Sequence, residues 1–231
     1  MSAPQRQYRY YEFVMAAFVT ILICSNLIGP AKIAQLDLPG VGVITFGSGV
    51  LFFPISYVFG DVLTEVYGYA AARRVIWLGF ACNLLMVAAI WLAGELPAAP
   101  AWRGQAAYAE IFAQTPRILV ASFLAYLVGE FANSFVLARM KIATRGRWLW
   151  TRTVGSTIIG QGLDSLVFVT LAFAWLVPVA VLAGIVLAQW VAKVAYEAAA
   201  TPLTYLLVGW LKAREHLDTY DRDTDFNPLH L

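Results

Sequence analysis

From Thr153 to Leu211 the chain runs 59 residues with only three charged side chains, Asp164, Lys193 and Glu197. A helix needs about 20 apolar residues to cross a bilayer core of roughly 30 Å, so this run holds more than one crossing. Four further apolar stretches precede it: Phe13–Ala31, Leu38–Gly60, Val75–Gly94 and Ile118–Ala138, the last broken only by Glu130. Composition agrees: 61% of residues are hydrophobic and 13% charged, against roughly 45–50% and about 25% in soluble domains. The chain therefore reads as an all-α integral membrane protein. A soluble enzyme, a secreted disulfide scaffold and a disordered chain are excluded.

Positive charge sets the number of crossings. Lys and Arg collect in short cytoplasmic loops. With the N-terminus inside and six spans, twelve of the sixteen Lys and Arg fall inside, Lys193 lies within a span, and Lys32, Arg103 and Arg117 fall outside. The bias requires two crossings between Arg152 and Lys212, with a break near Val177-Pro178. The expected spans are about 11–31, 40–62, 75–94, 117–138, 153–177 and 179–211, one transmembrane domain over 1–214. A polar, acidic and loose cytoplasmic tail, 215–231, should follow. The sixth helix is long enough that a bend is expected at Thr201-Pro202. Arg139–Arg152, with five cations beside Trp148 and Trp150, reads as an inner interfacial anchor. Leu96–Pro116 has room for a short outer helix.

A net charge of +2 argues against nucleic-acid binding. Cys24 and Cys82 sit in apolar runs as small hydrophobes. No cleavable signal peptide, metal site, cofactor or Walker-type loop is expected, and no Ser–His pair or two-aspartate protease motif is present.

Ionisable groups inside spans are costly and mark function. Asp61 and Glu65 are four apart at the end of the second span and share a helical face. They read as a structural or gating network with Arg73 and Arg74 across the inner turn. Glu130 and Asn133 share a face of the fourth span, and Gln161, Asp164 and Ser165 one of the fifth. Gln189, Lys193, Tyr196 and Glu197 share one of the sixth, where Lys193 and Glu197 could also form an intrahelical ion pair. Asn26 and Asn83 are either substrate contacts or interhelical glue. Carboxylates beside amides and aromatic walls (Phe168, Trp190, Tyr196) suit a planar polar molecule bearing N–H donors. Asn26, Glu130, Asn133, Gln161, Asp164, Lys193, Tyr196 and Glu197 are the expected substrate contacts.

Several of these segments closely resemble the YhhQ-type family of queuosine precursor transporters, within the vitamin uptake transporter group. They are Ser25-Asn26; Phe53-Pro54-Ile55-Ser56-Tyr57-Val58-Phe59-Gly60-Asp61-Val62-Leu63-Thr64-Glu65-Val66-Tyr67-Gly68 with Ala72-Arg73-Arg74-Val75-Ile76-Trp77; Thr115-Pro116-Arg117; Gly129-Glu130-Phe131-Ala132-Asn133-Ser134; Gly155-Ser156-Thr157 to Gly160-Gln161-Gly162-Leu163-Asp164-Ser165; and Lys193-Val194-Ala195-Tyr196-Glu197 with Thr201-Pro202. The resemblance covers roughly residues 10–213. It implies a six-helix fold like the substrate-binding subunits of energy-coupling factor transporters. It also implies import of 7-cyano-7-deazaguanine or 7-aminomethyl-7-deazaguanine across the bacterial inner membrane. The implied partners are a purine-like small molecule and the lipid bilayer, with a homo-oligomer left open. Two alternatives stand beside it: a binding subunit of an ATP-driven uptake complex, and a membrane enzyme or assembly protein. Both termini should be cytoplasmic. Cysteine-accessibility labelling is expected to find position 106 outside and position 230 inside; either one reversed overturns the orientation.

Overall fold

The computed structural model describes residues 8–38, 42–48, 52–112 and 116–230. Helix α1, Tyr11–Ala31, leads into an antiparallel hairpin of β1, Ile33–Leu38, and β2, Gly42–Gly47, with Ile33 opposite Gly47. Ser48 closes the hairpin base, its amide and hydroxyl both donating to the Lys32 carbonyl at 2.9 and 2.8 Å. Next come α2, Phe53–Val62, and a π-helical segment, Leu63–Tyr67, then α3, Tyr69–Glu95, and α4, Gln105–Phe112. The chain continues with α5, Pro116–Ala143, α6, Leu149–Phe173, and α7, Val179–Glu215. Of these, α1, α3, α5, α6 and α7 are long and apolar enough to cross a membrane.

The stretch expected as a second span, 40–62, is not one helix. Val43-Ile44-Thr45-Phe46 is β-branched and aromatic, fits a pleated strand, and is flanked by Gly42 and Gly47, which weaken a helix. Proline in its first turn starts α2, where a missing amide costs nothing. Together α2 and the π segment have 15 residues, fewer than a straight crossing requires. Helix α7 remains one helix through Pro202 over 37 residues, roughly 55 Å at 1.5 Å per residue. The Thr201 hydroxyl donates to the Glu197 carbonyl at 2.8 Å just before the proline.

Hydrogen bonds show which helix ends share a side. Glu215, ending α7, accepts from the amides of Arg9 and Tyr10 at 3.0 and 2.6 Å and from the Tyr67 hydroxyl at 2.9 Å. The starts of α1 and α3 and the end of α7 therefore meet. At the other ends, Tyr108 and Gln105 of α4 donate to the α3 carbonyls of Ile90 and Gly94 at 2.6 and 3.0 Å. There also Arg117, opening α5, donates to Leu171 and Ala174 carbonyls at 2.6 and 2.7 Å, satisfying orphan acceptors at the end of α6.

The tail is not loose. Asp221 is buried and accepts from the Tyr69 amide at 3.0 and 3.1 Å, capping the free amides that open α3. Arg73 donates to the Asp225 and Asn227 carbonyls at 2.9 and 2.6 Å, and Trp77 to that of Pro228 at 2.7 Å. Gly68, at φ 87°, lies under this strap, where a Cβ would meet Thr219 Cγ2 at 2.7 Å.

The tightest helix crossing is α5 on α6. A Cβ on Gly160 would sit 2.7 Å from Asn133 Cβ and 2.8 Å from the Gly129 carbonyl; one on Gly129 would sit 2.7 Å from Asp164 Cβ. Small residues let membrane helices approach this closely, and here they bring Asn133 and Asp164 to the seam. The outer helix faces carry large apolar side chains such as Leu85, Leu92 and Leu206, as lipid contact demands. Gly160→Ala is expected to destabilise the protein in detergent by about 1–3 kcal/mol through overpacking. Gly184→Ala, with nothing within 4 Å of its Cβ, should be neutral or slightly stabilising; thermal unfolding of both variants checks the contrast.

Candidate functional site

Two polar networks lie between the helices, and they differ in how completely they are paired. The first is built on Glu65, which the π segment turns inward and buries completely. Arg152 grips it in a fork, Nε to Oε2 at 2.7 Å and Nη2 to Oε1 at 2.9 Å. Lys212 reaches Oε1 at 2.6 Å, and Lys141 reaches it at 3.4 Å while donating to the Glu65 carbonyl at 2.5 Å. Asp218 of the tail bridges the same lysines at 2.6 and 2.8 Å. Partial burial raises the Asp218 pKa, but hydrogen bonds from Lys141 and Lys212 outweigh this and hold it below the ordinary carboxylate value. Helices α5, α6, α7, the π segment and the tail thus meet on one carboxylate.

This corrects the expected inner network. Arg73 serves the tail and Arg74 is exposed, so neither pairs with Asp61 or Glu65. Within the segment expected as an interfacial anchor, Lys141 and Arg152 are buried, while Trp148 and Trp150 stay exposed. Sequence reasoning missed Lys141, Arg152 and Lys212 as partners of Glu65. The signal is the charge bias, which puts all three on the side where Glu65 ends its span.

The second network lies where α2, α5, α6 and α7 meet. Asp61 is fully buried and accepts from Asn133 Nδ2 at 2.7 Å. Glu130, one turn before Asn133, lies against the α2 backbone: a Cβ on Gly60 would be 3.3 Å from Glu130 Oε2. Glu197 of α7 is fully buried, and neither of its oxygens has a hydrogen-bond partner. Lys193 pairs with Asp164 and not with Glu197, and Tyr57 of α2 stands beside that ammonium. Glu197 follows Lys193 one turn on along α7, and Gln161 precedes Asp164 by three residues on α6; both are buried. Of the expected contacts, Tyr196 is turned outward and 40% exposed. Trp190 donates to the Ile158 carbonyl at 2.8 Å, tying α7 to α6.

The satisfaction of this network is incomplete. Among the described residues eight buried side-chain N and O atoms lack a hydrogen-bond partner, and six belong here: Asp61 Oδ2, Asn133 Oδ1, Gln161 Oε1, Ser165 Oγ and both Glu197 oxygens. Unpaired buried polar groups cost about 1–3 kcal/mol each, more when charged. Such a concentration sets this network apart from the fully bonded one around Glu65, since buried polar groups are ordinarily paired.

Asn26 is not in this cluster. Its amide donates to Asn83 Oδ1 at 3.1 Å and to the Leu22 carbonyl at 3.0 Å. Asn26 also edges a groove of about 280 Å³ lined by α1, α3, α4 and α5, including Trp91, Glu95, Gln105 and Tyr108. The groove and the unpaired acceptors therefore lie apart.

A polytopic helical bundle with a polar, incompletely bonded centre defines a membrane transporter. The family described as "Putative vitamin uptake transporter" matches residues 47–207. A protein of Bacillus subtilis (strain 168) named "Probable queuosine precursor transporter" is 31% identical over 199 residues, covering 84% of this chain and 81% of its own. A second, from Escherichia coli (strain K12) and named "Queuosine precursor transporter", is 30% identical over 135 residues, 58% of each chain. No solved structure matches. The chain belongs to this vitamin uptake transporter family, whose named relatives are transporters and not enzymes. Removing one member of a buried ion pair costs about 3–5 kcal/mol. Glu65→Ala is expected to destabilise the protein by that amount, and the exposed Arg74→Ala by under about 0.5 kcal/mol; equal losses in thermal unfolding would refute the Glu65 assignment.

Proposed function

We propose that this chain imports queuosine precursors, 7-cyano-7-deazaguanine or 7-aminomethyl-7-deazaguanine, across the bacterial inner membrane. The observation that carries this is the set of unpaired buried acceptors on Asn133, Gln161 and Glu197. A deazaguanine presents ring N–H groups and an exocyclic amine, the donors such a site lacks. A carboxylate accepts two of them side by side, a role that suits Glu197. Gln161 and Asn133 amides, able to donate as well as accept, answer the ring carbonyl and nitrogen. Lys193, held by Asp164, supplies a fixed positive edge, and Glu130 adds a further carboxylate.

The base approaches through the groove beside Asn26 and Asn83, with α2, the short irregular element, moving to admit it. Six crossings with both termini cytoplasmic fit the charge bias, the hairpin and α2 together making the second. This reading is tested by calorimetry of purified protein with 7-cyano-7-deazaguanine. Glu197→Gln replaces one acceptor oxygen by a donor facing the base and is expected to weaken binding roughly 5- to 150-fold, from about 1–3 kcal/mol. Tyr196→Phe, on the outward face, should bind within about twofold. No binding by the unaltered protein, or the opposite order of the variants, would refute the assignment.

A further inference from the structure

The central cluster holds four carboxylates, Asp61, Glu130, Asp164 and Glu197, and one cation, Lys193, which is committed to Asp164. Asp61 and Glu197 are each fully buried; Asp61 accepts one hydrogen bond, from Asn133, and its other oxygen and both Glu197 oxygens accept none. Carboxylates removed from water either find a counter-charge or become neutral. The groups facing Asp61 supply little help. From α5 come one Asn133 N–H and the Glu130 carboxylate, from α7 the Glu197 carboxylate, and from the π segment Glu65, whose cations are already bound to it.

No three His, Cys, Asp or Glu side chains among the described residues are near enough to hold a metal ion together. No described Lys or Arg is bonded to Asp61 or Glu197, and a bound proton removes a buried carboxylate's charge without one. Beside the acids, Asn133 Oδ1 and Gln161 Oε1 are buried acceptors with nothing donating to them, so the whole centre lacks hydrogens. The neighbouring Glu65 network, where three cations meet one glutamate, lacks none.

We propose that Asp61 is a proton-binding site that couples transport of the base to a proton gradient. The proposal rests on the reading above, in which Glu197 receives the base. A base on Glu197 brings donors to that carboxylate and none to Asp61, so the Asp61 charge would stay buried and without a cation in a closed site. Closure over the base needs Asp61 as the carboxylic acid. One proton binds Asp61 Oδ2 from the side on which the site is open, crosses with the base, and leaves Asp61 as a carboxylate when the site opens to water on the other side. No other bond is made or broken. Proton and base move together.

Two measurements test this, one of which needs no base. Infrared spectroscopy of the purified protein at neutral pH should show a protonated-carboxyl carbonyl stretch that disappears in Asp61→Asn and is retained in Arg74→Ala. In proteoliposomes containing only this protein, an inward proton gradient should speed uptake of labelled 7-cyano-7-deazaguanine severalfold, and a sodium gradient should not. Asp61→Asn, neutral at every pH, should still bind the base within a few fold and exchange it across the membrane, yet ignore the proton gradient. A missing band, a band unchanged in Asp61→Asn, or uptake driven by sodium overturns the proposal. A band lost in Asp61→Asn in a protein that binds no base supports the proton site and refutes the substrate reading alone.

Discussion

Glu65 is the residue on which the architecture converges. Its carboxylate is out of water, and three cations from α5, α6 and α7 close on it. Such burial is tolerated only when the geometry returns what desolvation removes, and the Arg152 fork with two lysines does so. The consequence is mechanical. Elements far apart in the chain are held at one depth, and the tail joins them because Asp218 shares the same lysines. The π segment is what aims Glu65 inward, since its wider turn resets the face that follows α2.

Only a few ångströms of helix separate this network from the central cluster, since Asp61 and Glu65 are one turn apart. Yet their states are opposite. The Glu65 network is bonded throughout and suits a fixed anchor. The cluster around Asp61 and Glu197 has acceptors without donors, a condition stable only if something else arrives to fill it. A buried polar network that is fully satisfied rigidifies, and one partly satisfied is poised to bind. The two together describe a bundle clamped at one end and chemically open in the middle.

The tail extends the clamp. It crosses the start of α3, where Asp221 caps the helix and Arg73 and Trp77 hold its carbonyls. Gly68 makes this possible, because a side chain there would occupy the space of Thr219. A polar, charged sequence with no apolar period gave no sign of being ordered. Its order comes from backbone atoms that other segments bind, and hydropathy does not register these.

The membrane nature of the chain, its long helices and the intramembrane carboxylates were legible in the sequence, because each is a local property. Twenty apolar residues span a bilayer wherever they occur, and an aspartate in such a run is anomalous without reference to its neighbours. Families share such runs in order, which is why the motifs around Asp61 and Asp164 pointed to the right group. What only the tertiary structure decided is partnership. Asp61 and Glu65 looked like one pair facing Arg73 and Arg74, but the fold gives Asp61 to Asn133 and Glu65 to Arg152, Lys141 and Lys212. Lys193 turned from Glu197 to Asp164 on another helix. Strand β2 took the opening part of an expected span because β-branched residues between glycines favour pairing over winding. Spacing along one helix says which groups share a face, but the charge that a face meets depends on helices from distant sequence, and packing alone brings those together.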